Sequence, residues 1–200
     1  MNKNVFIFEG YDGAGKSTLI KGFIESLGNK TCRIVGRKSE PTLKGISSAI
    51  EDSVNALENR VEVFLRAALE IERLNLVKHS QKKFDFVVLD RGVISARSWV
   101  DYYNLNHSDY SKMFKIVERA LEGATIIFCR CSFEKCWRRI KDKNEKSKKE
   151  LLGKTTNSLW YQKYAANFKQ FRNPRYKIII LDTSLPLENS LAQIDKIARQ

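Results

Sequence analysis

The run Gly10-Tyr11-Asp12-Gly13-Ala14-Gly15-Lys16-Ser17 has the residue types and spacing that hold a phosphate chain. It reads Gly-x-x-x-x-Gly-Lys-Ser, the P-loop pattern. Phosphate oxygens need backbone N–H groups aimed inward, and glycines let the backbone approach that closely. Lys16 then reaches the β- and γ-phosphates, and the Ser17 hydroxyl meets Mg²⁺. Thr18 follows in the first turn of a helix whose positive end faces the same anion.

Two further groups could complete a phosphoryl-transfer site. Asp90-Arg91 closes the apolar run Phe84–Leu89. Beside a P-loop, such an acid can hold Mg²⁺ through water, and an arginine can neutralise a phosphoryl group in flight. Arg37-Lys38-Ser39-Glu40-Pro41-Thr42 is a charged loop, kept extended at Glu40 by Pro41. Ligands sit beyond the carboxyl ends of parallel strands, so this loop is a candidate for substrate contact.

The scaffold follows from periodicity. Val5–Phe8 is a short apolar run, and Leu19, Ile20, Phe23, Ile24 and Leu27 then recur at helical spacing. Strand, glycine loop and helix is the context a P-loop needs. Further strands are expected over 31–36, 84–89, 125–129 and 176–181, with helices over 46–57, 58–79, 95–103, 112–121, 134–141 and 187–198. Alternation without hairpin signals predicts an α/β fold with a five-stranded parallel sheet and helices on both faces, in one domain over 1–200. In the longest helix, Val61, Phe64, Leu65, Ala68, Ile71 and Leu74 read as the apolar face. Glu62, Arg66, Glu70 and Arg73 read as a surface ion-pair ladder that could also line a site. Trp160, Tyr164, Phe168 and Phe171 recur at helical spacing and read as core packing.

The net charge of +13 is uneven: 137–177 holds 13 Lys/Arg against 3 Asp/Glu. Such a stretch can bind polyphosphate, DNA or only water. Within it, five of the seven residues 143–149 are charged. That is the composition of a mobile lid, at about 141–153, whose closure excludes water from the donor phosphates. No stretch approaches the ~20 apolar residues of a membrane span. The first strand begins so early that no room is expected for a signal peptide. Cys32, Cys129, Cys131 and Cys136 form no Cys-x-x-Cys pair, and neither His79 nor His107 has a partner at metal-ligand spacing. They read as reduced, buried thiols of a cytoplasmic protein.

Taken together, the chain resembles the thymidylate kinase-like P-loop nucleotide kinases. The resemblance rests on Glu9-Gly10-x-Asp12-Gly13-x-Gly15-Lys16-Ser17-Thr18, on Glu40-Pro41-Thr42, and on Asp90-Arg91 with Ser95 four residues on. Ala14 with a basic lid is similar to the subgroup that draws catalytic cations from the lid. The resemblance implies transfer of the ATP γ-phosphoryl group to the 5′-phosphate of dTMP, with Mg²⁺. Lys16 and the loop amides of Gly10, Gly13, Ala14 and Gly15 would hold the donor, and Ser17 and Asp90 the metal. Asp12 would contact the acceptor sugar, Arg91 would bridge the two phosphates, and Lys141, Lys143 and Lys146 would be lid cations. Homodimers are common in that family.

Three positions depart from the family pattern. Arg66-Ala67-Ala68-Leu69-Glu70 occupies the segment that usually supplies an acceptor-binding arginine, so Arg66 or Arg73 would have to substitute. Ser98-Trp99-Val100 replaces Ala-Tyr-Gln, and Cys129-Arg130-Cys131 replaces Leu-Asp-Val. A hydroxyl acceptor is therefore an alternative, either a deoxynucleoside or a hydroxymethylated pyrimidine in phage-type DNA. Glu9 would then be the candidate base. Arg97 is similar to a deoxynucleoside kinase position, and 137–177 would be the DNA surface. A non-catalytic ATP-binding relative is the remaining alternative.

Overall fold

The apolar and β-branched runs become five parallel strands: β1 (Val5–Glu9), β2 (Cys32–Val35), β3 (Phe86–Asp90), β4 (Thr125–Arg130) and β5 (Lys177–Asp182). The computed structural model describes residues 2–52, 58–144, 146, 147, 149–171 and 173–199. The sheet order is β2-β3-β1-β4-β5. β1 is central, with Phe8 opposite Asp90 of β3 and Glu9 opposite Phe128 of β4. The chain runs from β1 to β2 and β3 on one side and then crosses to β4 and β5 on the other, so a crevice opens at the carboxyl end of β1.

Strand alternation sorts the side chains of β1 between two helical layers. Phe6 and Phe8 meet Phe23 of α1 (Lys16–Ser26), with ring centroids 4.7 and 5.8 Å apart. α1 packs against α8 (Leu187–Ala198). Ile7 and Glu9 face the other layer. It contains α3 (Asn59–Ser80), α4 (Val93–Tyr102), α5 (Ser111–Ala120), α6 (Phe133–Lys141) and α7 (Gly153–Gln170). The expected aromatic stripe lies there. Trp160 and Tyr164 are buried, and Phe168 stacks on Phe128 at 3.4 Å.

Two expectations need correction. Helix α2 (Pro41–Asp52) starts at Pro41, not near residue 46, so Pro41 and Thr42 are helical. Proline suits a first helical turn because its missing N–H has no partner there anyway. The Glu40 carbonyl accepts from Lys44 N at 2.8 Å. Residues 53–57, the expected end of this helix, lie outside the described residues.

The second correction is a rotation of α3. Glu62, Arg66, Glu70 and Arg73 are buried, while Val61 and Phe64 are exposed, Phe64 by 46 %. The charged stripe faces inward because it pairs internally and borders the crevice, whereas Phe64 rests on the Tyr110 ring at 4.9 Å. Among the described residues, no helix is long and apolar enough to cross a membrane.

Candidate active site

After Glu9 the chain turns through residues 10–15 into α1. Gly13, at φ 75°, has no room for a side chain, since a Cβ there would stand 2.5 Å from the Cys136 carbonyl oxygen. Gly15, at φ 84°, is the left-handed residue from which α1 starts. The Tyr11 carbonyl accepts from Ala14 N at 3.1 Å and from Lys16 Nζ at 2.9 Å. Burial and the nearby Arg91 lower the Lys16 pKa to about 8, against the pull of Asp12 and Asp90.

Beside this loop, the carboxyl ends of β1, β2 and β3 open into a cavity of about 490 Å³. Of the candidates read from the sequence, Asp12, Arg66, Asp90, Arg91, Ser95 and Trp99 line it. Arg37, Lys38 and Lys149 add cations to its wall. Asp12 is paired with both Arg91 and Lys149. Burial alone would raise its pKa, but these two cations outweigh it and hold the carboxyl well below the usual range. Arg91, at φ 67°, also donates to the Gly10 carbonyl at 3.1 Å and to Ser95 Oγ at 3.3 Å.

Glu9 does not open onto this cavity as an available base. One carboxylate oxygen accepts from Gly92 N at 2.9 Å and Ser95 N at 3.3 Å. The other accepts from Ser95 Oγ at 2.6 Å and Tyr164 OH at 2.7 Å. The buried carboxylate is a junction between β1, the start of α4 and α7.

The arginines of α3 divide. Arg66 reaches the cavity, bonded to Glu62 and lying 3.9 Å over the Trp99 ring. Arg73 is fully buried. It donates to the carbonyls of Val35 at 2.7 Å and of Asp90 and Arg91 at 3.0 Å, which clamps the ends of β2 and β3. Glu70 links Arg73 at 2.6 Å to Arg37 at 2.8 Å, so one chain of charges runs from the clamp to the cavity wall. Arg73 therefore supports the site rather than lining it. Glu40 pairs with Arg33 and Arg97 with Glu118 of α5, neither on the cavity wall.

The lid lysines also sort themselves. Lys143 pairs with Glu150 at 2.5 Å, Lys146 donates to the Lys143 carbonyl at 3.2 Å, and Lys141 is exposed. Among the described residues of this expected lid, Lys149 is the cation that lines the cavity, 4.2 Å over Trp160 and 4.9 Å over Tyr11. Nothing in a run of lysines distinguishes it by composition. Lid residues 145 and 148 lie outside the described residues.

A second cavity, of about 220 Å³, lies on the opposite flank of the loop. Gly15 and Thr18 form one wall, and Arg139, Thr183, Leu185 and Leu187 the other. Arg139 straps the two together, donating to the Gly13 carbonyl at 3.2 Å and the Thr183 carbonyl at 2.9 Å. Arg139 was not legible as a site residue, because helical spacing only places it on the outer face of α6.

The residues fit Mg²⁺. Ser17 and Asp90 line one recess, and Asp90 Oδ1 is buried with no hydrogen-bond partner among the described residues. Among those residues no three His, Cys, Asp or Glu side chains form a metal cage. A hard cation of this kind is ordinarily held by one or two protein oxygens together with substrate phosphates.

The chain matches the thymidylate kinase family over residues 8–194. No curated protein matches it in sequence. Solved structures similar to it include deoxyadenosine kinase from M. mycoides with the products dCMP and a flexible dCDP bound, at 18 % identity and TM-score 0.68. That match covers 96 % of this chain and 97 % of the other. The same enzyme with bound dATP matches at 18 % identity and TM-score 0.66, covering 98 % and 100 %. With bound dCTP it matches at 19 % and 0.61, covering 96 % and 97 %. At these identities the structures establish the fold, an α/β P-loop kinase fold with an all-parallel sheet. By its sequence match over residues 8–194, the chain belongs to the thymidylate kinase family, and so to the ATP-dependent nucleotide kinases.

Proposed function

We propose that the protein transfers the γ-phosphoryl group of ATP to the 5′-phosphate of a deoxynucleoside monophosphate, with dTMP as the leading acceptor. The observation that carries this is the pairing of a cation-rich cavity beside the P-loop with a sealed Glu9. A phosphate acceptor is already ionised and needs no base, so positioning and charge neutralisation suffice. A hydroxyl acceptor benefits from a free carboxylate, and every acceptor position of Glu9 is engaged.

In this reading ATP lies across the P-loop. Its base sits in the cavity walled by Arg139, Thr183 and Leu185, and its γ-phosphate points to Arg91. Lys16 leaves the Tyr11 carbonyl for the donor phosphates. Arg91 and Lys149, already held together by Asp12, face the oxygens that gain charge in transfer. Ser17 and Asp90 would hold Mg²⁺, which would supply positive charge to the donor phosphates. Arg66 and Arg37 stand where the acceptor phosphate enters. The lid residues Ser147 and Lys149 cover the same cavity, which suits a free nucleotide better than a polynucleotide. The basic stretch is partly spent on Glu134, Glu122 and Glu150. It supports a DNA surface less than its net charge alone suggests.

The test is an acceptor panel with ATP and Mg²⁺, read as transferred phosphate, with Lys16→Ala as the blank. It contains dTMP, the other deoxynucleoside monophosphates, thymidine, deoxyadenosine, and DNA with and without hydroxymethylated pyrimidines. Preference for dTMP supports the reading. Transfer only to hydroxyl acceptors removes it.

A further inference from the structure

Lys149 reaches the cavity from a short irregular stretch of chain, not from the body of a helix. It directly precedes a single tight turn, Glu150–Leu152, and α7 then begins at Gly153, whose φ is 84°. Two buried side chains brace that stretch. Glu150 works within it, accepting from Ser147 N at 2.8 Å and from Lys143 Nζ at 2.5 Å. Asn157 works from the first turns of α7 and is 1 % exposed. Its Nδ2 donates to the Lys149 carbonyl at 3.1 Å and to the Gly153 carbonyl at 2.9 Å. On its other side the Tyr11 hydroxyl stands 2.9 Å from both Asn157 Oδ1 and the Asn157 carbonyl. Tyr11 belongs to the P-loop, so one amide spans P-loop and lid. Its direction is fixed, because reversing it would set its oxygen against two carbonyls. Burial and Asp12 push the Tyr11 pKa up, so the phenol stays a donor.

We infer that Asn157 is a positioning residue for phosphoryl transfer, its amide setting the Lys149 backbone so that the ammonium stands beside Asp12 at the cavity, a reading that rests on the role proposed above for Lys149. Lysine carries its charge on a flexible four-carbon stem. Such a charge serves a transition state only where it is held before the reaction starts. Here the far end of the stem is held by Asp12 and by the Trp160 and Tyr11 rings. The near end is held by Asn157. Tyr11 thus meets Lys149 twice, by its ring at the ammonium and, through Asn157, by its hydroxyl at the backbone.

Asn157 itself is not on the cavity wall. Nor is its amide needed to satisfy its neighbours. The Lys149 carbonyl also accepts from Leu152 N at 3.1 Å, and the Tyr11 hydroxyl keeps the main-chain carbonyl of residue 157 within reach. Removing the amide therefore leaves these groups partnered and takes away the tie between P-loop and lid.

The experiment uses the whole protein and reads the place of Lys149 and the rate separately. Asn157→Leu keeps the shape and removes every bond of the amide. Asn157→Asp keeps an acceptor for Tyr11 but, while ionised, cannot donate to the two carbonyls, and it carries both readings should Asn157→Leu not fold. In a carbon–proton NMR spectrum the Trp160 and Tyr11 rings displace the Lys149 ε-methylene signals, which Lys149→Ala identifies by their loss. Both Asn157 variants are expected to return these signals to the ordinary lysine position. Their kcat is expected to fall by about tenfold, with KM for ATP within about twofold of wild type. In a Lys149→Ala background the same substitutions should cost no further kcat, since their effect passes through that lysine. Lys149 signals that stay in place would overturn the inference, whatever the rates. So would an equal fractional loss of kcat with and without Lys149, which would place the effect of Asn157 elsewhere in the fold. If Lys149→Ala keeps the wild-type kcat, the transfer role proposed for Lys149 falls, while its signals still decide whether Asn157 holds it.

Discussion

The Tyr164 hydroxyl stands between two parts of the site, donating to the Glu9 carboxylate at 2.7 Å and accepting from the Gly10 amide at 2.6 Å. Glu9 in turn holds the start of α4 through Gly92 and Ser95. One buried phenol therefore connects α7, the first residue of the P-loop and the segment that carries Arg91. Burial and the neighbouring Glu9 push its pKa well up, so it remains a neutral donor.

Tyr164→Phe should remove that connection with little change in volume. The Gly10 N–H loses its acceptor in a buried place, which costs ~1–3 kcal/mol. Urea unfolding is expected to show that loss. KM for ATP should rise more than KM for the acceptor, because the disturbed residue belongs to the P-loop.

Arg73 and Arg66 should separate when mutated. Arg73→Met leaves Glu70 with Arg37 as its partner and takes the donor from three carbonyls at and just beyond the strand ends, so a loss of ~1–3 kcal/mol is expected in denaturant unfolding. Arg66→Lys loses the flat contact with Trp99 and the paired bonds to Glu62. It should raise acceptor KM while leaving the unfolding free energy within about 1 kcal/mol of wild type.

Among the lid lysines the effect should fall on Lys149. Lys149→Ala is expected to lower kcat by about 10²-fold, the scale of losing one preorganised charge at the transferring group. Lys141→Ala and Lys146→Ala should stay within about twofold, since surface charges in water contribute little. Steady-state kinetics on the three variants decides this.

The pH dependence of ATP binding should follow Lys16. Its pKa is lowered from an ordinary 10.5 to about 8, so the folded free enzyme begins to lose the ammonium there. The unfolded chain keeps that proton longer, so this group makes folding slightly more favourable as pH rises across the window. Nucleotide binding runs the other way, because phosphates favour the ammonium. Calorimetry at pH 8.5 in buffers of different ionisation enthalpy should show proton uptake on Mg·ATP binding. Affinity should fall as pH climbs from 7 to 9, and Lys16→Ala should abolish the uptake.

Asp90→Asn keeps the shape of the strand end but removes the charge of the buried carboxylate, whose Oδ1 has no partner among the described residues. The Mg²⁺ concentration giving half-maximal rate should rise by about tenfold or more. Chelation should abolish transfer in the wild type, and excess Mg²⁺ should restore it.

What the sequence made legible was whatever local pattern determines. The P-loop is encoded by glycine spacing and a short apolar run, so β1, the loop and α1 stand where expected. The same holds for Asp90-Arg91 at the end of β3. The face of α3 was not legible in this way. Helical spacing shows that Glu62, Arg66, Glu70 and Arg73 share a stripe, but only tertiary partners decide that the stripe turns inward. Val35, Asp90 and Arg91 supply carbonyls to Arg73 from distant strands, and no local signal announces them. Lys149 and Arg139 were hidden for a related reason. A lysine-rich run and a basic helix look uniform until the fold brings Asp12 to one and Gly13 to the other.

In the proposed reaction the acceptor is a phosphate and not a hydroxyl. Equal amounts of dTMP and thymidine, offered together with ATP and Mg²⁺ and followed by phosphorus NMR, test it most directly. The β-phosphate signal of dTDP is expected to appear first while thymidine is left unchanged. Consumption of thymidine with new dTMP, and no dTDP, would contradict it and return Glu9 to consideration as a base.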